Sequence, residues 1–319
     1  MEVGTPDWAP QIYLESRWGA GARGRRGGGA ASGRRLGDVI DLHTHSTVSD
    51  GTDPPAEVVR QAARAGVGTV ALTDHDTTAG WPKAVQAARE EGIALVRGAE
   101  LSTVHEGRSV HLLAYLFDPE HEGLSSEMAL VVDDRLPRLR RMTELMAEDG
   151  IDITWQDVAA RLGPGVTPGR PHLADALVAK GVVPDRSAAF ADWLRNDSRY
   201  YVRHHALRTT DAIDLVGAAG GVPVVAHPFA LRRSRGLTPP LVRDLAERGL
   251  AGIEVDHRDH DDDARATARA LAAELDLIAT GSSDFHGDGK PNRLGEHTTA
   301  PESLARIEEL ATSDVAVVR

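Results

Sequence analysis

The stretch Asp41-Leu42-His43-Thr44-His45, followed by Ser49-Asp50-Gly51-Thr52, concentrates side chains that hold divalent ions. It continues a short apolar run, Val39-Ile40, that reads as a buried strand running out into a turn. Side chains alternate faces along a strand, so His43 and His45 project to one side and can chelate one ion. Comparable residues close later apolar runs: Thr73-Asp74-His75-Asp76, Gly98-Ala99-Glu100, Ala226-His227-Pro228 and Ser282-Ser283-Asp284-Phe285-His286, with His111 inside another. The chain has no cysteine, so any metal must live on imidazole and carboxylate.

The elements that must position these residues alternate. Strands are expected at 39–42, 69–73, 93–98, 110–117, 222–226, 252–255, 277–280 and 315–318. Helices are expected at 55–65, 79–91, 210–219, 239–248, 262–274 and 301–311, with prolines at starts and glycines at ends. Such alternation marks a mostly parallel α/β sheet or barrel, whose functional residues lie at the carboxyl ends of strands. Between them, helices at 125–148, 155–162, 171–180 and 187–195 read as a helical insertion over residues 118–205. Residues 1–37, rich in Gly, Arg and Ala, read as a disordered leader, with a basic nucleic-acid-binding arm or an upstream start codon as alternatives.

Composition narrows the function. A chain of 319 residues with 41% hydrophobic content can bury a large core. Its net charge of -12 argues against a protein that coats nucleic acid. No apolar run is long enough to span a bilayer and no signal-type segment opens the chain, so a cytoplasmic protein without membrane contact is expected.

Taken together, His43-Thr44-His45, Asp50-Gly51-Thr52, Thr73-Asp74-His75, Gly98-Ala99-Glu100, His111, Ala226-His227-Pro228 and Ser283-Asp284-Phe285-His286 resemble the PHP (polymerase and histidinol phosphatase) family, in its order and from about Asp38 onward. The resemblance implies a distorted (β/α)7 barrel, at 38–117 and 206–319, holding two or three divalent ions at its strand ends. It places His43, His45, Glu100 and Asp284 on one ion. Glu100 then bridges to a second, held by His111 and His227, and Asp50, His75 and His286 hold a third. Two cations roughly 3.5–4 Å apart suit phosphoryl transfer, with a metal-bound hydroxide as nucleophile. Manganese is the expected ion, with zinc, iron or magnesium as alternatives. Asp74 is expected behind the ligands, orienting an imidazole, and is counted with His227 among the catalytic residues.

Within the family the resemblance is to the branch of nucleoside 3',5'-bisphosphate phosphatases and RNase AM (TrpH-like) enzymes. It implies a small nucleotide or short RNA as substrate, and no stable protein partner is expected. Arg170, His172, Arg203, Lys290 and Arg293 are the candidate phosphate-binding residues, because anionic oxygens favour guanidinium or ammonium partners. Histidinol phosphate is the alternative substrate. An inactive module with a structural or nucleic-acid-binding role is the reading from another class. The acidic run 259–263, with His257 and His260 beside it, reads as a solvated helix cap rather than a ligand cluster.

Overall fold

The computed structural model describes residues 39–163, 166–203, 205–230 and 236–319. The expected leader lies outside these residues, as do Pro164, Gly165 and His204. In chain order the elements are β1 (Val39–Asp41), α1 (Pro55–Arg64), β2 (Val67–Leu72), α2 (Trp81–Glu91), β3 (Ala94–His105) and β4 (Arg108–Tyr115). The helices α3 (Glu122–Glu148), α4 (Trp155–Ala159), α5 (Arg170–Ala179) and α6 (Arg186–Asp192) follow. Then come β5 (Leu207–Arg208), α7 (Thr209–Ala218), β6 (Val222–Val225), α8 (Pro239–Glu247), β7 (Gly252–Asp256), α9 (Asp262–Glu274), β8 (Ile278–Gly281) and α10 (Pro301–Leu310).

The strands form one eight-stranded sheet in the order β1-β2-β3-β4-β6-β7-β8, with β5 added on β3. Among the described strands β4 alone is antiparallel to its neighbours, so the others share a direction and their carboxyl ends lie on one side. An isolated parallel bridge between Thr44 and Phe285, with the His45 N–H donating to the Phe285 carbonyl at 2.8 Å, links the chain beyond β1 to the chain beyond β8.

Two expectations change. Glu100 does not end its strand, because β3 runs on to His105 and turns into β4 through Glu106-Gly107. Both turn residues have positive φ, 47° and 72°, the two-residue geometry that matches the twist of a hairpin. The strand expected at 315–318 is reduced to a bridge between Leu95 and Val318, and the short β5 was not expected.

Apolar side chains fill both faces of the sheet, as continuous runs such as Val67–Leu72 require. One cluster joins strands to α1, α2 and α7–α9, including Val59, Leu72, Ala84, Val216, Val242 and Leu271. A second, with Leu42, Val96, Leu113, Tyr115 and Val224, is joined by Leu304 and Ile307 of α10. The long α3 contributes Leu124 and Met128 to the first cluster. Its later residues Leu139, Met142 and Met146 build a third, with α4–α6.

Where α3 passes between these cores, the buried Arg135 pairs with the buried Asp76, and its Nη2 also donates to Ser102 Oγ at 2.7 Å. Removing one member of a buried pair strands the other charge. Arg135→Met is expected to lower unfolding free energy by about 3–5 kcal/mol in urea titration. A loss below about 1 kcal/mol would show that Asp76 finds other solvation.

Candidate metal centre

Each functional side chain sits just past a strand end or, for Glu100 and His111, where β3 and β4 pair. The turn after His45 is closed by the Ser49 and Gly51 N–H groups donating to the Ser46 carbonyl, at 3.1 and 2.9 Å. Gly51 is required here, because a Cβ would lie 2.6 Å from the His45 carbonyl oxygen. His227 and Asp284 occupy left-handed backbone, φ 28° and 52°, which turns both side chains back toward the sheet's carboxyl edge.

Glu100, 1% exposed, is shared. Its Oε2 lies 3.2 Å from His43 Nε2, 3.0 Å from His45 Nε2 and 3.3 Å from His75 Nδ1. Its Oε1 faces His111 Nδ1 at 2.7 Å and His227 Nε2 at 3.2 Å. Asp284 Oδ1 lies 3.5 Å from Nε2 of both His43 and His45. Asp50 lies 3.2 Å from His286 Nε2 through Oδ1 and 3.7 Å from His75 Nε2 through Oδ2. Ligand atoms thus converge in overlapping sets: His43, His45 and Asp284; His43, Glu100 and His227; His75, Glu100 and His111; and His45, Asp50, His75 and His286.

The donor set fits divalent cations. His43 Nε2 and His45 Nε2 lie 3.0 Å apart, and both face the same carboxylate oxygen. The buried His75 Nδ1 and His286 Nε2 make no well-aligned hydrogen bond, although each has a carboxylate oxygen nearby. Nitrogens that face carboxylate oxygens without aligning on them are compatible with a shared cation. At His75 and His45 the electrostatics agree. Burial drives His75 down to about 3 and, with the His286 ring, lowers His45, leaving lone pairs available. At His43 burial acts downward but is outweighed by Glu100, Asp284 and Glu254, so its pKa rises well above the ordinary value. At Glu100 burial acts upward and is outweighed by the His111, His75 and His43 rings, which hold the carboxyl well below its usual range.

A family model, the PHP domain, matches residues 41–149. A 3',5'-nucleoside bisphosphate phosphatase from Chromobacterium violaceum is 33% identical over 259 residues, 81% of this chain and 91% of the relative. A 5'-3' exoribonuclease from Haemophilus influenzae is 34% identical over 272 residues, 84% of this chain and 97% of the relative. The chain belongs to the PHP family. A solved structure from Bifidobacterium adolescentis, described as a candidate metal-dependent phosphoesterase, superimposes with a TM-score of 0.83 at 42% identity, covering 86% of this chain and 97% of that one.

Against this PHP framework, the nine residues expected as ligands converge. Asp74 reaches an imidazole only through Ser49, whose Oγ donates to Asp74 Oδ1 and lies 3.5 Å from His45 Nδ1. It is buried beneath the turn, accepting from Ser46 N–H (2.8 Å), Ser46 Oγ (2.7 Å) and Ser49 Oγ (2.6 Å), and so shapes the loop that carries Asp50.

The expected substrate cations separate. Lys290 Nζ sits 3.0 Å from Asp284 Oδ2, and with the exposed Arg293 it lines a cavity of about 630 Å³ next to the ligands. Arg170 is turned inward, donating to the Leu194 carbonyl (2.5 Å) and Asn196 Oδ1 (2.7 Å) and stacking over Phe190 and Tyr201. It braces the helices rather than facing the centre. His172 is buried, its Nδ1 accepting from the Gly169 N–H at 3.1 Å, and Arg203 is exposed. The insertion's guanidinium beside the centre is Arg186, which is gripped by Asp175 through Nε and Nη2 and donates from Nη1 to the Asp50 carbonyl at 3.2 Å.

Three residues behind the ligands escaped sequence reasoning. Glu254, within β7, and His257 are both fully buried. The Asp259 N–H donates to His257 Nδ1 at 3.0 Å, which leaves the Nε2 proton for Asp284 Oδ2, 3.4 Å away. His260 is also buried, bonded to the Phe229 N–H and the Val255 carbonyl. The solvated-cap reading therefore holds for Asp261, whose carboxylate accepts from the Ala264 N–H, and fails for both histidines. The readable signal was a carboxylate inside an apolar strand, Gly252-Ile253-Glu254-Val255.

Asp74→Ala leaves buried donors of Ser46 and Ser49 unmatched. Its urea midpoint is expected to fall by the equivalent of about 1–3 kcal/mol or more, with the slope unchanged. An unaltered midpoint would mean the serines rebond locally.

Proposed function

We propose that the chain is a metal-dependent phosphoesterase that hydrolyses a phosphate ester of a nucleotide, or the 5' end of short RNA. His43, His45, Glu100 and Asp284 would hold one ion, Glu100, His111 and His227 a second, and Asp50, His75 and His286 a third. The observation that carries this reading is the division of Glu100, with three imidazoles on Oε2 and two on Oε1. Bound ions supply Lewis-acid stabilisation of phosphoryl oxygens and water activated at neutral pH, which suits the mixed imidazole and carboxylate set, with manganese as the working ion.

The chain's own groups do the rest. Asp284 presents Oδ1 to His43 and His45, while Oδ2 is occupied by Lys290 and His257. Lys290 is the ammonium at the rim, its side chain 25% exposed, and can meet a substrate oxygen without leaving Asp284. The adjoining cavity of about 630 Å³ has the size of a small-ligand site and is lined by Phe285, Asn292 and Arg293 as well as Lys290. The names of the relatives from Chromobacterium violaceum and Haemophilus influenzae support a nucleotide or RNA leaving group.

Manganese-loaded protein is expected to carry at least two metal equivalents and to favour a nucleoside 3',5'-bisphosphate or short 5'-phosphorylated RNA over histidinol phosphate in kcat/KM. Preference for histidinol phosphate would overturn the substrate class, and full activity of metal-free protein would overturn the mechanism. Glu100→Gln should cost more than the roughly 10–100-fold typical of an outer-shell partner. Lys290→Ala should lower kcat/KM about tenfold or more while leaving metal content intact, and an equal rate would remove Lys290 from substrate binding.

A further inference from the structure

Glu254 is the buried charge for which the ligand set does not account. It stands in β7 between Ile253 and Val255, both packed into the apolar cluster on the opposite face, and is itself 0% exposed. An ionised carboxylate in such a place is tolerated only when donors surround it. Three do, each from a different strand end. His43 Nδ1 lies 3.3 Å from Oε1, Ser282 Oγ donates to the same oxygen at 2.8 Å, and the backbone N–H of His227 donates to Oε2 at 2.8 Å.

Two consequences follow. With Nδ1 of His43 turned to the carboxylate of Glu254, an acceptor only, it is the nitrogen that keeps its proton when an ion binds, and Nε2 is the nitrogen that faces Glu100 Oε2 and Asp284 Oδ1. At His227 the bond from Oε2 holds the N–H of a residue in left-handed backbone, φ 28°, the conformation that swings Nε2 toward Glu100 Oε1. One carboxylate thus orients imidazoles on both sides of Glu100.

We propose that Glu254 is the positioning residue of the centre, fixing the tautomer of His43 and the placement of His227 together. The inference rests on the reading that these two histidines hold ions. It also predicts that charge, and not volume, is what matters at position 254. Glutamine has the same shape but one acceptor and one donor, so in either orientation an N–H₂ group confronts a proton of His43 or of His227. A space-filling or purely structural role would tolerate it.

The test compares wild-type protein with Glu254→Gln, both loaded with zinc. Metal equivalents and zinc dissociation constants are measured by competition with a chelator, and ¹H–¹⁵N histidine spectra report which nitrogen of His43 carries the proton. The expected result is an Nδ1–H tautomer in the wild type, and zinc binding weakened about 10–100-fold in the variant with the thermal melt retained. Equal zinc affinity in a folded Glu254→Gln protein would overturn the proposal. So would an Nε2–H tautomer of His43 in the wild type, a measurement that decides the matter even if the variant fails to fold. A wild type that binds no zinc or manganese at all would instead overturn the ligand reading on which the inference rests.

Discussion

The charge on Glu100 is the constraint on which the rest of the molecule depends. A carboxylate 1% exposed, with Asp50, Asp284 and Glu254 close behind, is stable only if every oxygen has a proton donor or a cation. The fold answers by bringing five imidazoles onto Glu100 from four separate segments, none adjacent in sequence beyond His43 and His45. No local structure could do this. It takes a sheet whose parallel strands deliver their carboxyl ends to one edge, and an antiparallel β4 that brings His111 up beside Glu100 from the other direction.

That dependence explains what was legible in the sequence. The ligands were readable because they follow apolar runs in short, dense motifs, and strand ends are where an α/β sheet places chemistry. Glu100 was found but its setting was not. The continuation of β3 beyond it depends on the Glu106-Gly107 turn, a weaker signal than the glycine that precedes Ala99 and Glu100. Glu254 and His257 were missed for a related reason. Their roles consist of contacts 27 to 211 residues away in sequence, to His227, Asp284 and His43, and no spacing rule reaches that far.

The arginines show the converse. Arg170 was expected to meet phosphate because anionic oxygens favour a guanidinium. In the folded chain it is the first residue of α5 and reaches inward to the Leu194 carbonyl. A guanidinium has five donors, and buried backbone carbonyls left between short helices satisfy them as well as a phosphate does. Arg138 behaves likewise, donating to the Val202 carbonyl and lying over Tyr201. Charge type alone therefore did not separate bracing arginines from substrate arginines. Burial did.

The insertion reaches the centre at particular points. Arg135 of α3 holds Asp76, the neighbour of His75. The Thr167 N–H donates to the Val48 carbonyl at 2.8 Å, and Arg186 donates to the carbonyl of Asp50. All three attachments fall on the side of His75 and Asp50, and the side of His227 is instead held by Glu254 within β7 and by His260 in the loop after it, which accepts from the Phe229 N–H. The two halves of the centre thus have different mechanical supports. The two supports meet on one carboxylate, because His75 also faces Glu100 Oε2 at 3.3 Å, beside His43 and His45.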